Sequence, residues 1–506
     1  MAEPAAPQSA ARAQGAAPGE GVAPGSRRSW VLAATIATIM ISAIEGTIIA
    51  TVMPTIVSEL GGFDLFSWAF TAYLLTQGVT APIYGRLADI YGRKRVLLTA
   101  IGLFLVASVL CGFAWSMMSL IAFRVLQGIG AGGLVPVVQT IIGDLFTPAE
   151  RARIQGWISS VWAMGAIIGP LLGAFLVAHS IWPMVFWVNV PIGVVAAAML
   201  VVSLHERLEP HPHRIDYLGS ALMMLGTGLL MLALVDAARL PLGAIAGLIA
   251  AAAIVLTLFV LHERRTPEPM LPLGLWVNGI VAGGNVTGLG LGAVMMGTTA
   301  FLSLYVQGVM GRSAIIAGVA LAASSVSWPL GSTAGGRLML RTSYRATTVV
   351  GALPLLAGSL MMIALEPSRG PLWATAAAAL IGIGMGFTNN TFQVAIQSVV
   401  DWRQRGIATS SMVFSRIIGQ ALGAAVFGGL INASLPPQLT GAADRVLDPN
   451  LRSALPPAEA ALLIEAIAHG LHNVYLITGF VVLVVAAMAL LLPPGLSPIR
   501  PARAPR

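Results

Sequence analysis

Long apolar runs, broken by short segments rich in Arg, Gly and Pro, set the pattern of this chain. A bilayer core of about 30 Å needs roughly 20 apolar residues per helix. Fourteen runs meet that length, at residues 30–54, 65–84, 96–114, 117–141, 154–178, 182–203, 215–235, 241–261, 277–300, 313–335, 346–365, 371–399, 407–431 and 472–493. The ninth can continue through Phe301–Gln307. The runs are continuous and lack the alternation of ten-residue barrel strands, so they predict transmembrane helices. Residues 1–29 are dominated by Ala, Pro and Gly, which predicts a disordered tail. Ser26-Arg27-Arg28 reads as the flank of a first membrane helix rather than a cleaved export signal, because the run behind it is long enough to span and many more follow.

Composition agrees with a bilayer environment. Of 506 residues, 57% are hydrophobic and only 9% charged, with mean hydropathy +0.85. A soluble protein carries about 25% charged residues, so a soluble multidomain enzyme is excluded. The net charge of +8 and pI near 10.3 could suggest nucleic acid, but the placement of the charges argues otherwise. With the N-terminus inside, 21 of the 28 Lys and Arg residues fall on inner segments and five on outer loops. Two, Arg124 and Arg416, lie within runs. That asymmetry predicts both termini in the cytoplasm, and makes the basic pI a topology signal with no nucleic-acid partner implied. The lone Cys111 permits neither an intrachain disulfide nor a cysteine metal site.

An internal repeat organises the runs. Gly85-Arg86-Leu87 recurs as Gly336-Arg337-Leu338, an offset of 251. Gly128-Ile129-Gly130-Ala131-Gly132 recurs as Gly382-Ile383-Gly384-Met385-Gly386, and Gly165 and Gly169 recur as Gly419 and Gly423, both at offset 254. The offset corresponds to eight runs, so the expected plan is an all-α membrane protein of two parallel six-helix bundles with two helices inserted between them. The expected divisions are a tail at 1–29, a first bundle at 30–203, inserted helices with their loops at 204–270, a second bundle at 271–493 with an outer loop at 432–471, and a tail at 494–506. Two related halves around a cavity is a transporter plan.

Glu45 is the one acidic residue deep inside a run. Low dielectric penalises an ionised carboxylate, which suits it to loading a proton; a static hydrogen-bonded acid or ion pair is the alternative. Its repeat counterpart is Thr299, so the shared fold does not require the acid. At 1.5 Å per residue Glu45 lies about 22 Å from the inner face and Arg124 about 10 Å from the outer one, so the two can meet. Otherwise Arg124 satisfies carbonyls or polar side chains. Gly165, Gly169 and Gly173 form one stripe on the fifth helix, where Pro170 can bend it. Asn389, Asn390, Gln393 and Gln397 form a polar patch that either lines the cavity or bonds neighbouring helices. Trp162, Met164 and Phe301 are either an adaptable apolar cavity wall or ordinary core. Arg416 either faces the cavity or braces a helix. The scattered histidines offer no metal site, and the absence of a phosphate loop argues against ATP as the energy source. The stretch Ala458–Leu471 is amphipathic and is expected at the outer interface.

Three motifs resemble those of the major facilitator superfamily. Gly85-Arg86-Leu87-Ala88-Asp89-Ile90-Tyr91-Gly92-Arg93-Lys94-Arg95 is similar to its loop 2–3 signature. Arg124 through Gln127-Gly128 to Gly132 resembles its fourth-span motif, and Gly165 to Gly173, with Gly169-Pro170, resembles the fifth-span motif of antiporters. With fourteen runs and Glu45-Gly46-Thr47 in the first, the chain resembles the fourteen-span drug:proton antiporters. Glu45 stands where many such relatives carry Asp, and Gly173 is followed by Ala174 rather than Gly. The resemblance implies proton-driven export of small lipophilic, often cationic compounds by a monomer in the bacterial inner membrane. It implies no enzyme activity, cofactor or ATP; only protons, substrate and lipid are partners. It implies proton coupling by Glu45 and Arg124, and an inside latch built from Gly85, Asp89, Gly92 and Arg93 that docks on the start of the thirteenth helix. Export of a lipid or endogenous hydrophobic metabolite, and a non-transporting membrane sensor, are the alternatives.

Overall fold

The computed structural model describes residues 27–494, apart from 147, 207–215, 237–239, 267–268, 270–272, 401–404, 448–451 and 453–454. The first bundle contains α1 (Arg28–Leu60), α2 (Phe66–Tyr91), α3 (Arg93–Gly112), α4 (Met117–Leu145), α5 (Pro148–His179) and α6 (Met184–Ser203). The inserted pair is α7 (Tyr217–Val235) and α8 (Leu242–Glu263). The second bundle contains α9 (Gly279–Val309), α10 (Ala314–Arg341), α11 (Tyr344–Ile363), α12 (Gly370–Val399), α13 (Arg405–Ser434) and α14 (Pro457–Met488). Thirteen of these are long and apolar enough to cross a membrane; α2, with 26 residues, is the more polar exception.

Local chemistry marks several starts. Ser116 and Ser119 form a reciprocal capping box at α4, and Asp216, Asn278 and Ser343 cap α7, α9 and α11. Gly92, at φ +92, alone joins α2 to α3, a conformation that other residues rarely adopt.

The repeat is reproduced in packing. Gly165 and Gly169 of α5 lie against Ala43 and Thr47 of α1, as Gly419 and Gly423 of α13 lie against Leu289 and Ala293 of α9. Gly128 and Gly132 of α4 meet Thr76 and Thr80 of α2, while Gly382 and Gly386 of α12 meet Ser327 and Trp328 of α10. Small residues let these backbones approach closely, which is what association in lipid requires. The two bundles meet along two seams. Gly318 of α10 sits on the Pro170 carbonyl of α5, and Gly78 of α2 sits under Ile417 and Ile418 of α13.

Apolar clustering differs at the two ends. One cluster joins the outer parts of both bundles and includes Ile48, Met53, Phe66, Phe301, Val306 and Phe427. At the inner ends the clusters are separate, one around Leu97, Val138 and Ile158, the other around Tyr344, Phe392 and Met412. The bundles are therefore sealed together at the ends away from the N-terminus of α1 and are separate at the opposite ends, which is an inward-facing arrangement if the termini are cytoplasmic. The inserted pair packs over the α2–α13 seam through Met223, Met231 and Phe259, and α8 otherwise turns apolar side chains outward, as a lipid-facing helix does.

Two expectations change. Gly85 and Asp89 lie in the last turns of α2, not in a loop, because the helix persists to Gly92. Ala458–Leu471, assigned to the outer loop, is the first part of α14, because no proline divides it from the apolar run that follows. The outer loop instead contributes a short helix, Thr440–Leu447, whose Ala443, Val446 and Leu447 pack into the outer seal.

Candidate functional site

Glu45 reaches into the first bundle from the middle of α1 and is 1% exposed. Arg124 of α4, equally buried, forms an ion pair with it through Nη1. Periodicity brings Gln127 onto the same face of α4 as Arg124. Arg124 Nη1 also donates to Gln127 Oε1 at 2.7 Å, and its Nε donates to the Ala69 carbonyl of α2 at 3.1 Å. The guanidinium lies 4.0 Å from the centre of the Tyr73 ring, a cation–π contact. Asn189 of α6 donates its amide to the second carboxylate oxygen of Glu45 at 2.7 Å. Gln127 Nε2 continues the chain to Ser108 Oγ of α3 at 3.0 Å, and Ser108 donates to the Phe104 carbonyl.

Side chains from five helices thus converge on one carboxylate–guanidinium pair. Nearly every polar atom is satisfied, as a buried charge requires. The exception is Asn189 Oδ1, which is buried with no hydrogen-bond partner among the described residues. Turning that amide over presents an acceptor to a protonated Glu45 in place of a donor to the charged one. The site can therefore hydrogen-bond Glu45 in either protonation state.

Sequence reasoning paired Glu45 with Arg124 by depth but missed Asn189, Tyr73 and Ser108. Asn189 carried a usable signal, as an amide alone in the apolar run of α6. Ser108 carried none, since serine hydroxyls in membrane helices commonly bond their own backbone, and nothing in the sequence sets Tyr73 apart from the other aromatic residues of these helices.

Gly165, Gly169 and Gly173 face α1 immediately beside Glu45, and Thr47 Oγ1 donates to the Gly165 carbonyl at 3.2 Å. Pro170 turns its carbonyl to α10, so α5 links the acid's helix to the other bundle. Arg93 pairs with Asp144 at 2.9 Å, while its backbone N–H and that of Lys94 donate to Glu206 at 2.9 and 3.0 Å. Lys94 Nζ returns to the Val201 and Leu204 carbonyls at the end of α6, so the basic loop clamps its own bundle. The Asp89 side chain and residues 401–404 lie outside the described residues, and with them the expected docking contact.

The expected cavity residues divide. Phe301 is wholly buried edge-on between Phe66 and Phe427, so it belongs to the outer seal and lines no opening. Met164 stands roughly 200° around α5 from Trp162. It is 49% exposed on the side away from α1 and α10, which removes it from any space between the bundles. Trp162 is 40% exposed near the inner end of the glycine stripe. Asn390 donates to the Ser332 carbonyl of α10, and Gln397 to Thr409 of α13; these amides bond neighbouring helices. Asn389, Gln393 and Arg416 are half-buried.

Two related bundles with a charge pair enclosed in one of them define a multi-pass membrane transporter. The chain belongs to the Major Facilitator Superfamily, whose family model matches residues 35–424, and it is a carrier rather than an enzyme. It is 34% identical over 411 residues to the Multidrug transporter protein MdtP of Bacillus subtilis, covering 81% of this chain and 76% of that one. It is 31% identical over 489 residues to Multidrug resistance protein 3 of the same organism, covering 91% and 94%. Among solved structures it is similar in fold to a bacterial homologue of the human lysosomal transporter Spinster in an inward-facing, occupied conformation. That match has a TM-score of 0.65 at 18% identity and covers 92% of this chain and 96% of the other.

Proposed function

We propose that this transporter is a proton-coupled antiporter that exports small lipophilic, often cationic drugs across the bacterial inner membrane. In this reading all fourteen helices span, both termini are cytoplasmic, the protein works as a monomer, and the proton gradient is its only energy source. The multidrug names of its relatives support the substrate class. The observation that carries the coupling is the enclosed Glu45, held by Arg124 and Asn189 on three different helices.

Protonation of Glu45 removes half of the ion pair. Arg124 is then left with a carbonyl and an amide, and the preferred spacing of α1, α4 and α6 changes. Because α5 ties α1 to α10, that change can reach the contact between bundles. Glu45 is shut off in the inward-facing state, so drug and proton exchange through bundle rearrangement, without direct competition at one carboxylate. The inside latch at Asp89 and Arg93 would hold the opposite, outward-facing state.

The test is Glu45→Gln in sealed vesicles, with ethidium as cargo and an imposed proton gradient. Uphill export is expected to disappear, while dye binding in detergent stays within about twofold. Undiminished gradient-driven export by this variant refutes the coupling role. Carriage of neutral lipid with no ethidium export by the native protein moves the substrate class to lipids.

A further inference from the structure

On α13, Phe414, Ile417 and Ile418 face Gly78 of α2. Met412 and Gly419 meet α9, and Ser415 bonds Asn285 of that same helix at 3.2 Å. At about 100° per residue, the arc between these two contact faces carries Thr409, Val413, Arg416 and Gln420. Val413 is 40% exposed there, and Arg416 and Gln420 are half-buried. Arg416 lies about 16 Å along α13 from its start, in the middle of a bilayer core.

Its surroundings differ from those of the other deep arginine. Arg124 has a carboxylate, an amide and a carbonyl. Arg416 lies over the ring of Trp328, with its guanidinium 5.9 Å from the ring centre, near the limit of a cation–π contact. Its Nε is closed off from solvent with no hydrogen-bond partner among the described residues. Among the described acidic residues of the second half, Glu366 falls at a helix end, Asp444 in the short outer helix, and Glu459 and Glu465 in the outer turns of α14. A permanent cation at this depth is costly unless an anion answers it, and none of the described residues supplies one at this level.

We propose that Arg416 is the receptor for an anionic group, a sulfonate, carboxylate or phosphate, on an amphiphilic molecule handled by the transporter. The proposal rests on the export reading above and extends its substrate class to anionic amphiphiles. The planar guanidinium fork takes such groups in two parallel hydrogen bonds, and Trp328 offers an aromatic face beside it. In the first half the repeat counterpart is Trp162, half-exposed at the matching level of α5. One half thus presents a cation and the other an indole, a pairing suited to an aromatic anion. The anionic group can belong to a cargo molecule or to a lipid headgroup.

The experiment uses full-length protein in phosphatidylcholine vesicles and two fluorescent probes, the anionic anilinonaphthalene sulfonate and neutral phenylnaphthylamine. Arg416→Gln is expected to weaken sulfonate binding at least about tenfold and to change binding of the neutral amine by less than about twofold. Arg416→Lys is expected to recover part of the loss, since it restores the charge without the fork. Adding phosphatidylglycerol separates the sources: displacement of the sulfonate assigns the receptor to a headgroup, and no displacement assigns it to cargo. Equal weakening of both probes makes Arg416 a brace and overturns the proposal, as does unchanged sulfonate binding or its absence in the native protein. Gradient-driven export of ethidium by the native protein is scored separately. Its absence defeats the export reading while leaving the binding result at Arg416 to stand or fall by itself.

Discussion

At the scale of single residues, the Glu45–Arg124 pair illustrates how a buried charge network resists piecemeal change. Removing one member leaves the other charged in low dielectric, which costs about 3–5 kcal/mol, whereas removing both can cost little. Arg124→Gln should therefore lower thermal stability in detergent strongly, and Glu45→Gln/Arg124→Gln should recover most of that loss. A double variant no more stable than Arg124→Gln would show that Arg124 serves the Ala69 carbonyl and the Tyr73 ring more than it serves Glu45. This pair was legible in the sequence because two charges at matching depth in apolar runs are conspicuous. Asn189 stood out as an amide in an apolar run, but its partner did not, because that depends on which face of α6 turns inward, and a helix apolar all round does not announce its faces. Phe301 stood between cavity wall and core for the same reason: nothing in the sequence separates a phenylalanine that lines a cavity from one that seals two bundles.

At the scale of helices, the glycine stripes make predictions that differ by position. A methyl group on Gly165 would strike the Cβ of Ala43, which cannot rotate away. On Gly169 it meets the Thr47 hydroxyl, which can turn aside at the cost of its bond to the Gly165 carbonyl. On Gly46 it meets nothing within 4 Å. Gly165→Ala should therefore destabilise by about 1–3 kcal/mol through overpacking. Gly169→Ala should cost less, and Gly46→Ala should be neutral or gain up to about 1 kcal/mol of helix propensity. Thermal unfolding of the three purified variants checks the order; a Gly165→Ala variant as stable as Gly46→Ala contradicts the close packing of α1 on α5. The spacing of these glycines disclosed the repeat, yet their partners were hidden. The same stripe could have met any helix, and only the fold shows α5 on α1 and α13 on α9. The loop 2–3 segment was readable as a basic inner loop, but the clamp by Glu206 and Lys94 joins residues 112 and 110 apart in sequence, beyond any local pattern.

At the scale of the molecule, the outer seal decides which way the transporter faces. Phe301 fills the junction between Phe66 of the first bundle and Phe427 of the second, with ring centres 5.8 and 5.4 Å away. One turn further out, Gln307 donates to the Thr51 carbonyl of α1 at 3.0 Å, so a polar bond also crosses between the bundles. Around Phe301 and again at Tyr305–Val309, α9 is wound as π-helix, a geometry that marks places where a helix can shift its register. The inward-facing state holds these contacts and an outward-open state must give them up. A large-to-small change here therefore acts on the balance between states. Burying a phenylalanine contributes several kcal/mol, and about 1.4 kcal/mol already changes a two-state ratio tenfold. Phe301→Ala should consequently shift the population toward outward-open. Paired spin labels at Glu59 and Arg312, exposed at the outer ends of α1 and α10, should show a longer distance in the variant. A second pair at Arg95 and Thr342, on the inner ends of the two bundles, should shorten in step. The only native thiol, Cys111, is buried, so Cys111→Ser gives the labelling background. If the outer distance lengthens while the inner one stays fixed, the bundles do not rock as units, and the seal is only a local plug. If neither distance changes, Phe301 is ordinary core, and the rest of the apolar seal, with the bond from Gln307 to α1, holds the outer face.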